Sequence, residues 1–390
     1  MKSMFSTWFT ALALLLATTT AQATQQWGTG LAEAIPTPDP PRIGAPSYIL
    51  VDMHSGYVLA SRDAHEPWEP ASLVKMMTAY VVFNELKAGH ISLDDEVPVS
   101  ERAWRAPGSR MFIEVGSRVP VEKLLMGLIV QSGNDAAITL AEYVAGDEET
   151  FAQVMNQYAD RLGLTNTRFT NATGLPDPEM QTSAWDSARL AQAIIEEFPE
   201  YYTWYSVRAY EYGGINQHNR NQLLWRDESV DGVKTGHTQS AGYNLTTSAE
   251  RDGMRLIAVV LGTSSERDRA QQSHQLLNYG FRFFETHRLY RSGEALTEAR
   301  AWKGDQESVA LGVVDDLYVT IPRRQYDNIA ATISIDGQVV APVSAGQELG
   351  WLRIQLLGET IHEAPLIALD DIEEGSIWRR VLDDVLLRFQ

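Results

Sequence analysis

From Leu73 to Phe83 the chain is apolar on every side of a helix except at Lys75 and Thr78. A helix that is apolar all round is a buried one. The pattern therefore predicts a core helix that begins near Ser72 and carries a lysine one turn after a serine. An ammonium without a partner in a protein interior is costly, and its pKa falls in compensation. Either Lys75 reaches the surface or the position uses that cost. Upstream, SYILVDMHSGYVLA (47–60) reads as two short strands around a turn at His54-Ser55-Gly56. Downstream, helical spacing returns at 121–131, 135–145, 149–163 and 186–198. Two dense apolar strands follow, at 242–250 and 254–262, and then a helix from about Ser265 to Phe284. This order predicts an α/β (α+β) domain over 24–285, with a helical cluster inserted into one sheet.

Beyond about Thr286 strand-like alternation takes over, as in DLYVTIP and ATISIDGQVVAP, with Asp336-Gly337 as a hairpin turn signal. The expectation is a small all-β second domain over 286–375. The tail changes again. Ile377, Trp378, Val381, Leu382, Val385, Leu386 and Phe389 repeat at helical spacing, opposite Arg379, Arg380, Asp383, Asp384 and Arg388. This predicts an amphipathic helix over 376–390. Its length, about 21 Å at 1.5 Å per residue, falls short of a ~30 Å hydrocarbon core. Such a helix lies on a membrane surface; alternatively, its apolar stripe packs on the second domain or on a partner. At the other end Lys2, the run WFTALALLLA and the small-residue site AQA (21–23) form an export signal over 1–23. A polar, Pro-rich leader covers 24–46. The expected location is the periplasm, on the outer face of the inner membrane.

Charge and composition narrow the function. Loss of Lys2 with the signal takes the net charge from −19 to −20. Such acidity argues against nucleic acid as a partner. There is no cysteine, so disulfides and thiolate chemistry are excluded. The eight histidines are scattered, with no HxH or HxxxH pair. No metal site or other cofactor is expected.

Ser72 and Lys75 stand three apart, so on a helix they share a face. A helix start favours a developing oxyanion, and a buried lysine can be a neutral amine able to take the serine proton. The pair alone is also consistent with a helix-capping Ser72 beside a snorkelling Lys75. Two further motifs change the balance. Ser132-Gly133-Asn134 sits between two helices, and Lys234-Thr235-Gly236 lies on a segment that reads as an edge strand. S-x-x-K, S-D-N and K-T-G in this order are the signature of class A β-lactamases and penicillin-binding proteins. The set is chemically coherent. Ser72 attacks a carbonyl, Lys75 takes its proton, and Ser132 relays that proton to the leaving amine. Asn134 holds the acyl side. Lys234 adds positive charge beside Lys75 and, with Thr235, holds a carboxylate. Gly236 lets the substrate backbone approach, and the backbone N–H groups of Ser72 and His237 form the oxyanion hole. The His237 ring as a general base is the weaker reading. Asp186 reads as an N-terminal charge or cap of its helix.

With these motifs in place the chain resembles the D-alanyl-D-alanine carboxypeptidases of the penicillin-binding protein 5 type. The resemblance extends from about Pro36 to the C-terminus and includes EPASLVKMMTAYVV, LLMGLIVQSGNDAAITLAE, GLTNTRFTNATGLP, HNRNQLLW, DGVKTGHTQSAGYNL and YGFRFFET. It implies a transpeptidase/β-lactamase-like catalytic domain, a β-rich second domain and a C-terminal anchor. It implies as substrates peptidoglycan stem peptides ending in D-Ala-D-Ala, and β-lactams as covalent inhibitors. It also implies two active-site arginines, Arg220 and Arg269, the latter for the terminal carboxylate with Arg267 as its alternative.

Three rivals share parts of the pattern. A β-lactamase needs a glutamate in an E-x-x-x-N loop; the matching segment has Glu179 but no asparagine four residues on. A D,D-endopeptidase of the same superfamily usually lacks the second domain. A non-catalytic wall-binding or penicillin-sensing protein has no need of intact Ser72, Lys75, Ser132 and Lys234.

Overall fold

Strand Met254–Thr263 is apolar at nearly every position because it is buried on both faces. Ile257, Val259 and Leu261 face the helical side of the molecule, and Leu256, Ala258 and Val260 face the opposite layer. The structure, a computed structural model, describes residues 37–387. The export signal, the first part of the leader, and Arg388 and Phe389 of the tail lie outside the described residues. Five antiparallel strands form the central sheet in the order Val58–Arg62, Ser47–Asp52, Met254–Thr263, Gly242–Arg251 and Val230–Thr238. The N-terminal hairpin and the last three strands are far apart in sequence, and the helices lie between them. Helix Ala184–Glu197 packs on one side of the sheet and helix Glu266–Phe283 on the other.

Helix Val74–Lys87 is the buried helix that its pattern demands. Every residue from Val74 to Phe83 is buried, among helices Asn134–Ala145, Glu148–Arg161 and Ala184–Glu197. Ser72 lies in the short 3₁₀ turn Ala71–Leu73 ahead of it and caps nothing with its side chain. Asp186 is not a cap either. Ser183 Oγ takes that role, accepting from Asp186 N at 3.0 Å. The buried Asp186 carboxylate instead accepts from Asn166 N (2.8 Å) and Thr167 Oγ1 (2.7 Å), pinning a distant loop. Residues 37–46 of the leader adopt no regular element, yet Ile43 and Ala45 are buried and their carbonyls accept from Arg62.

The second domain begins at strand Phe284–Tyr290, which pairs with Leu317–Pro322. Its larger sheet runs Thr297–Arg300, Ser308–Gly312, Glu359–Ala368, Glu348–Leu356, Ile329–Ile335. Asp336-Gly337 does not make the tight hairpin that it signals. Ile335 pairs with Gly350, and segment 336–347 intervenes because Val339, Ala341 and Val343 are drawn into the domain core. The tight turn is Leu357-Gly358, with φ of 53° and 87°, between the paired residues Leu356 and Glu359.

The tail folds as helix Ile377–Leu387, and it docks by its polar face. Asp383 is 5% exposed and its carboxylate accepts from Lys303 N at 2.6 Å. Arg379 Nη2 donates to Gln306 O at 2.8 Å, and Lys303 and Arg380 pair with Asp384 and Glu374. The apolar stripe therefore does not pack on the second domain. Trp378 is 85% exposed, Ile377 68% and Leu382 60%.

The two domains share a buried polar joint. The fully buried Asp52 carboxylate accepts from His54 N (3.1 Å), Ser55 N (2.8 Å), Ser55 Oγ (2.9 Å) and Thr286 Oγ1 (2.7 Å). Ser55 and Thr286 both meet Thr320 of the second domain, at 2.6 and 2.8 Å. Removing this buried acceptor leaves several donors, half-buried at Ser55 and Thr286, without their partner. Asp52→Ala is expected to destabilise the protein by about 3 kcal/mol, read as a lowered denaturation midpoint. A loss below that of Ser55→Ala would show that the carboxylate is not the centre of the joint.

Candidate active site

The 3₁₀ turn Ala71–Leu73 sets the Ser72 hydroxyl at the mouth of the buried helix. Ala71 adopts φ 49° to do so, a conformation that costs a residue with a Cβ. Two glycines clamp this turn. A Cβ on Gly174 (φ 81°) would stand 1.9 Å from Ala71 O. One on Gly236 would stand 2.7 Å from Pro70 O. Gly236 is therefore needed so that the edge strand can pass against the Ser72 turn.

Lys75 is 1% exposed. Its Nζ donates to Ser72 Oγ at 3.2 Å, Asn134 Oδ1 at 2.7 Å and Thr173 O at 2.5 Å. Its pKa is lowered to about 7, chiefly by burial and then by the charge of Arg220, against Asp135 and Glu148. As a neutral amine it has two hydrogens and one lone pair. Two of the three contacts then remain donations, to Asn134 and Thr173, and the lone pair faces the Ser72 hydroxyl. The neighbouring charge that lowers Lys75 most is that of Arg220. Lys234 is itself buried and held well below its ordinary value by burial, then by Lys75, Arg220 and Arg269.

Ser132 closes the π turn Gly127–Gln131 with φ 64° and ψ 38°. Strained backbone of this kind clusters at functional sites. Its Oγ accepts from Lys234 Nζ at 2.9 Å, and the same Nζ donates to Thr235 O at 3.0 Å. Lys234 thus holds Ser132, which lines the cleft. Asn134 is also engaged: Oδ1 accepts from Lys75 and Nδ2 donates to Pro107 O at 2.6 Å. It orients Lys75, and its expected contact with an acyl chain requires that amide to exchange partners.

The cleft, about 390 Å³, is lined by Ser72, Ser132, Asn134, Thr235, Gly236 and His237 among others. Arg220 and Arg269 line it too. Arg220 Nη2 donates to Ser109 Oγ at 2.7 Å. Arg269 is 2% exposed, with Nη1 donating to Gly236 O at 3.3 Å. Its Nη2 stands 3.6 Å from Glu266 and makes no hydrogen bond among the described residues. Arg267 is exposed and outside the cleft, so of the two candidates only Arg269 faces it. The His237 ring lies 3.9 Å from that of Tyr243. Glu179 pairs with Arg168 at 2.7 Å on the surface, away from the cleft.

Several site residues escaped the sequence reading. Thr173 acts through its carbonyl, which Asn171 aims by accepting from Thr173 N (3.0 Å) and Gly174 N (2.8 Å); N-A-T-G is the signal for that turn. Asp135, directly after the Ser132-Gly133-Asn134 motif, is 1% exposed and accepts from Met111 N and Phe112 N, both at 2.9 Å. Glu148 is buried against Arg102 and Ala172 N.

Comparison with known proteins agrees with this geometry. The family model described as D-alanyl-D-alanine carboxypeptidase matches residues 34–265, and that of the penicillin-binding protein 5 C-terminal domain matches 284–374. The chain is 44% identical over 361 residues to the D-alanyl-D-alanine carboxypeptidase DacC of Escherichia coli, covering 90% of each. It superposes on penicillin-binding protein 5 from Haemophilus influenzae with a TM-score of 0.84 at 40% identity, over 86% of this chain and 100% of that one. Penicillin-binding protein D2 from Listeria monocytogenes, in an ampicillin-bound form, matches with a TM-score of 0.58 at 28% identity, over 62% of this chain and 100% of that one.

The clamp on the nucleophile turn gives a test. Gly174→Ala is expected to fold but to displace Ser72, slowing acylation by a fluorescent penicillin about 10²-fold. An unchanged rate would mean that the turn is not held by this contact.

Proposed function

The chain belongs to the D-alanyl-D-alanine carboxypeptidase family, and on that premise we propose that Ser72 is its nucleophile and Lys75 its general base. The enzyme is a serine-type D-Ala-D-Ala carboxypeptidase that removes the terminal D-alanine from peptidoglycan stem peptides. The observation that carries the assignment is the buried Lys75 amine, with its pKa near 7, facing the Ser72 hydroxyl at 3.2 Å. Ser72 Oγ forms a bond to the penultimate D-alanine carbonyl carbon as its proton passes to Lys75. The oxyanion collapses, the C–N bond breaks, and the leaving amine takes a proton through Ser132, which Lys234 holds. Water then attacks the ester, Lys75 accepts a proton from it, and Ser72 regains its hydroxyl. Arg269, with Thr235 beside it, receives the terminal carboxylate, which supports exo-cleavage over endopeptidase action.

β-Lactams acylate Ser72 in the same way. The ampicillin-bound Listeria relative supports this reading. Glu179, tied to Arg168 at the surface, supplies no base for rapid hydrolysis of the penicilloyl ester, against the β-lactamase reading. Export by the 1–23 segment places the enzyme in the periplasm. The exposed apolar face of helix Ile377–Leu387 holds it to the membrane surface; among the described residues no helix is long and apolar enough to cross a bilayer.

Acylation requires neutral Lys75, so its rate is expected to rise with pH through about 7 and level off above. Stopped-flow labelling with a chromogenic cephalosporin follows it. Lys75→Ala should lose roughly 10²- to 10⁴-fold and the pH step with it, and Ser72→Ala should show no covalent adduct. A normal rate near neutrality in Lys75→Ala would assign the base elsewhere.

Liposome flotation tests the tail. The mature protein is expected to float and a chain ending at Gly375 to stay in solution, with hydrolysis of a soluble peptide unaffected. Equal behaviour of the two would refute anchoring by this helix.

A further inference from the structure

The segment from Pro107 to Ile113 is built with unusual care for a loop. Ser109 O accepts from Asn134 N at 2.7 Å, and Ser109 Oγ donates to Gln131 O at 2.8 Å. Met111 O accepts from the buried Gln217 side chain at 3.0 Å. The Asp135 carboxylate takes the N–H groups of Met111, Phe112 and Ile113 in turn, the last at 3.3 Å. Loops are ordinarily free of such constraint. Here the backbone is fixed while the Phe112 side chain is left exposed and that of Arg110 half-buried.

Phe112 adopts φ 67° and is 49% exposed. A bulky residue in this region of φ is an outlier, and glycine would relieve it. The ring is not there for the core. It lies under Arg110, whose guanidinium carbon stands 5.4 Å from the ring centroid. Among the described residues Arg110 has no carboxylate partner and no side-chain hydrogen bond. That is notable for a half-buried arginine in a chain of net charge −19, where acidic neighbours are plentiful. Gly108 and Ser109, the two residues before it, line the cleft.

The cleft has two sides. Thr235, Gly236, Glu266 and Arg269 come from the edge strand and the helix behind it. On the proposed reading they take the departing D-alanine. Gly108, Ser109 and Asn134 come from the helical side, and the acyl half of the substrate runs past them. We propose that Arg110, steadied by the Phe112 ring, is a specificity residue that receives a carboxylate on the acyl side of the scissile bond. The substrate class is a peptide ending in D-Ala-D-Ala whose preceding residue carries a free side-chain carboxylate. A guanidinium on an aromatic face keeps its fork of donors pointed outward, which suits a carboxylate.

This rests on the carboxypeptidase reading, and the experiment separates the two. Two N-acylated peptides X-D-Ala-D-Ala are compared, X bearing a side-chain carboxylate or its carboxamide. Release of D-alanine is measured as kcat/KM at low and high salt. The unaltered enzyme is expected to favour the acid about threefold to fivefold, the range of an exposed ion pair, and less at high salt. Arg110→Ala should bring the ratio to about one, Arg110→Glu should invert it, and Arg110→Lys should retain part of it. Penicillin acylation, followed in parallel, reports on the integrity of Ser72 and Lys75 in each variant. A ratio that is the same in all four proteins, or an equal loss on both peptides in Arg110→Ala, overturns the assignment. No release from either peptide by the unaltered enzyme would instead overturn the carboxypeptidase reading.

Discussion

Everything at this site depends on one buried amine. Lys75 enters the core on a helix that offers it no solvent, and the fold meets the cost in two ways. It surrounds Nζ with three oxygens, from Ser72, Asn134 and Thr173, and it lets the proton go near neutrality. The first makes the lysine tolerable and the second makes it useful. Each oxygen comes from a different part of the chain, so the catalytic domain must be assembled before the amine is satisfied. Lys234 repeats the arrangement one step away, buried and held to Ser132. Burial holds both amines below the ordinary lysine range.

The proposed nucleophile, Ser72, is placed by compression rather than by capping. Edge strand and loop close on the Ala71–Leu73 turn from two sides, at Gly236 and Gly174, with no room for a Cβ at either. Left-handed backbone at Ala71 and Ser132 stores strain beside the Ser72 and Ser132 hydroxyls. Such strain persists only where surrounding structure over-determines it, and here the five-stranded sheet and the helical cluster both bear on the same few atoms.

Much of this was legible in sequence. The run from Leu73 to Phe83 read as a buried helix, and the segments 242–250 and 254–262 read as dense apolar strands. Ser72, Lys75, Ser132 and Lys234 were visible as motifs at element junctions. What was hidden depended on the third dimension. The Thr173 carbonyl has no side-chain signature, and the reason for Gly236 is the position of Pro70, far off in sequence. Asp336-Gly337 carries the local marks of a hairpin, but burial of Val339, Ala341 and Val343 outweighs them. The tail's two faces were plain, but which face would touch protein was not. Asp383 and Arg379 decided it by finding backbone partners at Lys303 and Gln306.

That docking bears on where the enzyme can work. A catalytic unit on a slack linker samples a volume, and its encounters with substrate are set by linker length. Here helix Ile377–Leu387 is clipped to the second domain, and that domain is joined to the catalytic one through Asp52, Ser55, Thr286 and Thr320. With the helix lying on a bilayer as proposed, the path from lipid to Ser72 is folded protein throughout. The cleft then stands at a set altitude above the membrane. Stem peptides in that layer are trimmed, and those in other layers are left intact until the wall or the precursor moves into reach.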